Sequence, residues 1–255
     1  MIAGTLYAFE HWLHNYRRVW HGSLISNFVM PVLFLLGIGF GVGAHVENTS
    51  ALGGVDYVHF VAPGLLASTG FQIVAGEMTW PVFGALRWGK QYRAMQASPL
   101  TPGQILGGHL LYGLLRGTVA GVVFLLVMTA FGLVSSPWAP LATLAAAGVA
   151  FSTVGWVYAY SVWVKNEVAL SIIHRFGIVP LSLLSGIFFP LSQLPPALQS
   201  AAWISPLWHA AELCRWATTG VDTGWPLLAH AAYLVALGAG GCWVANKALL
   251  RRLTI

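Results

Sequence analysis

The sequence predicts an all-α membrane protein: six transmembrane helices, an N-terminal amphipathic interfacial helix, and a re-entrant outer hairpin between helices five and six. Three observations carry that expectation. Hydrophobic residues make up 57% of the chain and charged residues only 7%, against roughly a quarter charged in soluble domains. The basic residues recur between long apolar runs, so the net charge of +5 reports membrane topology and not a nucleic-acid partner. The third observation is the stretch LLSGIFFPLSQLPP from Leu183 to Pro196, too amphipathic to span a bilayer and too apolar for a solvated loop. Pro190 lacks a donor N–H and biases Phe189 away from helix, so the helix built by Ile178, Val179 and Leu181 to Phe189 is expected to end there. Irregular backbone at membrane depth must be covered by protein or water, which places the break at a boundary and a short re-entrant hairpin after it.

A spanning helix needs about 20 largely apolar residues, and 255 residues leave room for six in a single domain, 1–255. Within residues 1–25, Tyr7, Phe9, Trp12, Leu13, Tyr16, Val19 and Trp20 recur at three- and four-residue steps among Glu10, His11, His14, Arg17 and Arg18. That pattern describes either a helix lying in the headgroups or the extended foot of the first span. Aromatics, histidines and an acid ahead of the first apolar run argue against a cleavable leader.

The first span is expected at about 28–44. Its end reads GIGFGVG, and Gly37, Gly39, Gly41 and Gly43 allow either close helix approach or fraying. Glu47 and Asp56 then mark the side away from the bases. The second span, about 57–86, contains Glu77. A basic loop over 87–104 follows, with Arg87, Lys90 and Arg93 and the turn-prone pairs Ser98-Pro99 and Thr101-Pro102. The third span, about 105–134, carries Arg116, and its Gly113, Gly117 and Gly121 form a smooth packing face at four-residue steps.

Beyond the turn Ser135 to Trp138, a fourth span covers about 141–164, and Lys165, Asn166 and Glu167 turn the chain back. The fifth span is short: 176–190 gives 15 residues, ~22 Å of helix. Either the helix starts near Val168 with Arg175 snorkelling, or the following segment dips back into the membrane. Over 191–216, Trp203, Trp208 and Trp216 sit at belt-like positions that suit short, half-sunk helices. The last span is about 225–248. With these spans, Arg17, Arg18, Arg87, Lys90, Arg93, Lys165, Arg175, Lys247, Arg251 and Arg252 fall on one side and Arg215 on the other. Lys and Arg favour the cytoplasm, so both termini are expected there.

Few groups could carry chemistry. GALRWGKQ, Gly84 to Gln91, follows a phosphate-loop pattern as far as Lys90, but Gln91 replaces the Ser or Thr that holds magnesium and no strand precedes it. The chain itself is therefore expected to bind no nucleotide. Glu77 and Arg116 each fall ~14 to 17 Å from the basic ends of their spans, close enough in depth to form an ion pair or a substrate or proton site. His209 and Glu212, with Cys214 nearby, could present metal ligands from one helix. No second cluster supplies the rest, so ordinary solvation at a rim is expected, and no metal. Cys214 and Cys242 have no metal spacing and need no disulfide. Hydrolase motifs are missing, which disfavours an enzyme.

The order of parts resembles the type-2 ABC exporter permeases, in the branch of lipo-oligosaccharide (nodulation-factor) and daunorubicin-type drug exporters. The residues that carry the likeness are YVHFVAPGLLAS with Pro63 and Gly64, Glu77, YRAMQASPLTPGQILGG from Tyr92 to Gly108, SGIFFPLSQLP, and ISPLWHAAELCR ending at Arg215. The resemblance implies a six-helix permease of a bacterial plasma membrane. It would dimerise with a second copy or a sister permease and sit on two copies of a separate ATPase that hold ATP and magnesium. It also implies that 87–104 forms the ATPase-coupling segment, with Arg87, Lys90, Tyr92, Arg93, Pro99 and Pro102 at the contact, and that 191–216 forms the re-entrant outer cap. Phe188, Phe189 and Pro190 would then act as an outer gate, and the cargo would be an amphiphilic or lipid-linked molecule or a hydrophobic drug. An ion-coupled secondary transporter using Glu77 is the rival reading; such transporters often carry internal repeats, and the sequence shows none.

Overall fold

The computed structural model describes residues 2–42, 52 and 54–253. Every regular element among them is helical. The long helices are α1 (Ile2–Phe34), α2 (Tyr57–Arg87), α4 (Pro102–Ala130), α5 (Ala142–Trp163) and α10 (Leu227–Leu253). The short ones are α3 (Gln91–Gln96), α6 (Glu167–Ile172), α7 (Val179–Leu184), α8 (Pro196–Trp203) and α9 (Pro206–Thr219). A π-helical segment, Ile173–Ile178, joins α6 to α7 as one helix over Glu167–Leu184. Among the described residues, five helices are long and apolar enough to cross a membrane: α2, α4, α5 with its leading turn, Glu167–Leu184, and α10. The first expected span, about 28–44, falls on the end of α1 and its continuation, a π-helical segment over Leu35–Val42. Gly43 and Glu47 lie outside the described residues.

Local causes decide the alternatives that the sequence left open and correct one of its readings. No break separates residues 1–25 from the first span; α1 runs straight on to Phe34. Its first half is held by α4 through small residues, since a Cβ on Gly108 would meet Ala8 Cβ at 2.5 Å and Phe9 N at 2.6 Å. The fifth span starts at Glu167, where Asn166 caps it by accepting from Ala169 N at 3.1 Å, so its 18 residues reach ~27 Å. It ends at Leu184, before Pro190 is reached, because Gly186 takes a left-handed φ of 69° that a helix cannot continue through. The break at Pro190 is thus corrected: glycine, not proline, stops the helix. The basic loop 87–104 is itself partly helical. Lys90 adopts φ 49° ahead of α3, and Thr101 and Gln104 form a capping box that starts α4 with Pro102 in its first turn.

Glycine decides how the bundle packs. A Cβ on Gly117 would meet Val74 Cγ2 at 2.5 Å and Ala150 Cβ at 2.9 Å, and one on Gly121 would meet Ala146 Cβ at 2.5 Å. The face Gly113, Gly117, Gly121 is therefore the seam where α2, α4 and α5 meet. On the other side of α5, a Cβ on Gly155 would lie 2.2 Å from the carbonyl carbon of Gly241, which brings α10 into backbone contact with α5. By contrast, Gly37 meets nothing among the described residues.

Candidate functional site

The functional groups fall at three levels of the bundle. At one end the basic residues converge. Arg87 Nη2 donates to the Val164 carbonyl at 3.1 Å, and Arg87, Lys90, Arg93 and Arg252 line a shallow cavity of about 210 Å³ with Leu86 and Leu253. None of these four cations is in an ion pair among the described residues. Arg93, Lys90 and Pro99 are exposed, and Pro102 is half-buried. Tyr92 is placed differently from the contact residue the resemblance implied: it is fully buried. The six-residue α3 turns Tyr92 and Met95 toward the core, and of the two only the tyrosine is fully buried.

Around Tyr92 stand side chains from three other helices. Its hydroxyl bonds His109 Nδ1 on α4, Trp12 of α1 stacks on the His109 ring with centroids 3.8 Å apart, and Tyr158 of α5 lies 5.8 Å from the same ring. Burial pushes the Tyr92 hydroxyl pKa well above its usual value, so it stays protonated. One side chain of α3 thus touches α1, α4 and α5 together. Sequence reading missed this joint because its members are 17 to 146 residues apart in an order that no helical period relates.

Midway along the bundle, Arg116 Nε donates to Glu77 Oε1 at 2.9 Å, linking α4 to α2. The guanidinium also lies over the Tyr16 ring, 4.0 Å from its centroid, so α1 closes the third side. The structure thus brings together the two charges the sequence had placed at equal depth. A buried ion pair is weak evidence for stability, but it ties Oε1 of Glu77 to α4.

The opposite end holds the residues that the sequence placed at a solvated rim, and here that expectation is corrected. Arg215 is 4% exposed. Its Nη1 donates to Glu212, its Nη2 to the Gly186 carbonyl at 2.9 Å, its Nε to the Phe60 carbonyl at 3.3 Å, and its guanidinium stacks on the Phe60 ring at 3.9 Å. One side chain therefore ties α9 to the start of α2 and to the turn after α7. Trp208, expected in an interfacial belt, is also buried.

His209 and His230 are buried as well, with their Nδ1 atoms 2.9 Å apart. The Trp203 carbonyl, 2.9 Å from His209 Nε2, can only accept. His209 therefore carries its proton on Nε2 and offers Nδ1 as acceptor, so His230 must donate from Nδ1. Burial lowers the His209 pKa, and the bond to the Trp203 carbonyl partly opposes this. His209 and Glu212 thus serve different partners. Phe188, Phe189 and Pro190, the gate expected from the sequence, are half-buried beside Ile187, which is fully buried and rests on Gly64, where a Cβ would meet Ile187 Cγ2 at 3.0 Å. The signal available in sequence was a lone cation, Arg215, in an otherwise apolar helix with an acid three residues before it.

The sequence model of the ABC-2 type transporter family matches residues 8–218. Among curated proteins, nodulation protein J of Rhizobium leguminosarum bv. viciae is 29% identical, the alignment covering 84% of this chain and 82% of that protein. The same protein of Rhizobium meliloti (strain 1021) is 27% identical over 94% and 91%. The inner membrane transport permease YadH of Escherichia coli (strain K12) is 24% identical over 82% and 80%.

Proposed function

This chain belongs to the ABC-2 type transporter family, and on that premise we propose that it is the permease subunit of an ATP-driven exporter. Its cargo would be an amphiphilic or lipid-linked molecule or a hydrophobic drug, taken from the cytoplasm or inner leaflet. Two copies of a separate ATPase would supply ATP and magnesium, docking on the basic end, which then faces the cytoplasm with both termini. The observation that carries this reading is the joint at Tyr92. A short helix flanked by unpaired, exposed cations is anchored by one buried tyrosine to three helices, as a lever needs to be.

Pairing with a second permease is supported by the helix Glu167–Leu184. Only 11% of it is buried within the chain, and Val168, Ile172, Phe176, Val179 and Leu183 form an exposed stripe at four- and three-residue steps. In this reading α1 with its π-helical extension makes the first of six spans, residues 191–216 dip in from the outside, and the path runs at the dimer interface along the first, second and fifth spans. Phe188, Phe189 and Pro190 close it outside. Closure of the ATPases would be passed through α3 as a rigid-body rotation of the permease halves. A secondary transporter using Glu77 is disfavoured, since that carboxylate is held by Arg116.

The test is purification in detergent with and without the partner ATPase. Stimulation of ATP hydrolysis by a lipid or drug cargo supports the exporter, and Lys90→Glu with Arg93→Glu should abolish co-purification. Cargo movement by the purified chain alone, or labelling of Lys90 from the cell exterior, would overturn it.

A further inference from the structure

The end of α10 has two faces, and only one belongs to the coupling surface. Arg252 lines the basic cavity beside α3. Arg251, one residue earlier and so about 100° around the helix, lines a separate groove of about 270 Å³ between α5 and α10, together with Trp163, Trp243, Val244, Lys247 and Ala248. The groove opens to the outside of the bundle: Trp163 is 58% and Trp243 60% exposed. Backbone contact between the two helices at Gly155 and Gly241 gives way here to two exposed indole rings.

Trp243, Lys247 and Arg251 follow one another at four-residue steps, so they form a single column down one face of α10, ~12 Å long. The Lys247 ammonium lies over the Trp243 ring, 3.6 Å from its centroid, which fixes it at the mouth of the groove. Neither Lys247 nor Arg251 is in an ion pair among the described residues. The C-terminal end of the helix carries about half a negative charge, against two full positive charges, so the groove attracts an anion. Along α10 the lining runs from Trp243 and Val244 through Lys247 and Ala248 to Arg251, so the indole ring lies on the membrane side of both cations, as the glycerol region lies on the membrane side of the phosphate in a lipid leaflet.

We propose that this groove binds the phosphodiester headgroup of an anionic glycerophospholipid in the leaflet at the basic end, with its phosphate between Lys247 and Arg251 and its glycerol region against Trp163 and Trp243. The occupant is a lipid and not an acidic protein surface, because four of the six lining residues, Trp163, Trp243, Val244 and Ala248, are apolar. The site requires only that the bundle spans a membrane, so it stands or falls apart from the transport reading.

The full chain, purified in a mild detergent, is titrated with phosphatidylglycerol or phosphatidylcholine of identical acyl chains, and bound lipid is counted by native mass spectrometry. Phosphatidylglycerol should bind tighter. With a gain of roughly five-fold per cation near an anionic surface, Lys247→Gln with Arg251→Gln should weaken it about 25-fold and leave phosphatidylcholine unchanged. Lys247→Arg with Arg251→Lys should retain binding, and Arg252→Gln should change it little. Equal binding of the two headgroups by the unaltered protein overturns the proposal, as does undiminished phosphatidylglycerol binding in the neutral double variant. Displacement of the lipid by inorganic phosphate would show a small-anion site and overturn the lipid assignment.

Discussion

Arg215 Nη2 donates to the Gly186 carbonyl at 2.9 Å, across 29 residues of chain. Gly186 is the residue whose left-handed backbone ends the helix Glu167–Leu184, and its carbonyl is one that the helix can no longer satisfy. The arginine takes it up while holding Glu212 and the Phe60 carbonyl. The capped end of the bundle is thus organised by one cation and not by the prolines around it.

Replacing Arg215 by alanine leaves Glu212 buried without its counter-charge, a loss of about 3–5 kcal/mol for a broken buried pair. Arg215→Lys should rescue little, because an ammonium cannot reach three acceptors in different directions. Melting of the detergent-solubilised protein measures both, and a lysine variant as stable as the original would contradict the three-way contact.

For Glu77 and Arg116, each single neutral substitution should destabilise strongly, whereas Glu77→Leu combined with Arg116→Leu should cost less than the sum of the two. A double-mutant cycle on thermal stability reads the difference. Additive losses would mean that the two charges act independently.

Glycine contacts separate sharply. Gly155→Ala should destabilise by about 1–3 kcal/mol or more, since its Cβ would lie 2.2 Å from the Gly241 backbone. Gly76→Ala, where a Cβ meets nothing within 4 Å among the described residues, should be neutral or stabilise by up to about 1 kcal/mol. Paired melting curves decide.

Tyr92→Phe keeps the buried ring and removes only the hydroxyl bonded to His109. The expected cost in stability is about 1 kcal/mol. If the joint transmits motion, transport should fall while ATPase binding and basal hydrolysis persist. Loss of ATPase binding instead would place Tyr92 in the docking surface.

His209 gives a pH dependence of definite sign. Burial holds its folded pKa below the ordinary value of 6.5, so the unfolded chain binds the proton more tightly. Its contribution to stability is complete above about pH 6.5 and is lost as the pH falls below that value. His230 and Tyr233 face the same ring, so the comparison is with His209→Gln. The stability gap between the two proteins should narrow from pH 7.5 to pH 5.

The sequence by itself determined that the chain is a helical membrane protein, where most of its long helices run, and that its bases gather at one end. These follow from composition and from the period and length of apolar runs, all local quantities. It also placed Glu77 and Arg116 at one depth, because depth along a helix is only a residue count. The tertiary structure alone decided which partners those helices take. Tyr92 meets His109 and Trp12, His209 meets His230, and Arg215 meets Gly186, each across helices that share no sequence period. A polar side chain in an apolar run looks the same in sequence whether it faces a rim or a core. What distinguishes the two is whether another helix brings a donor or an acceptor within about 3 Å, and only the packed bundle sets that distance.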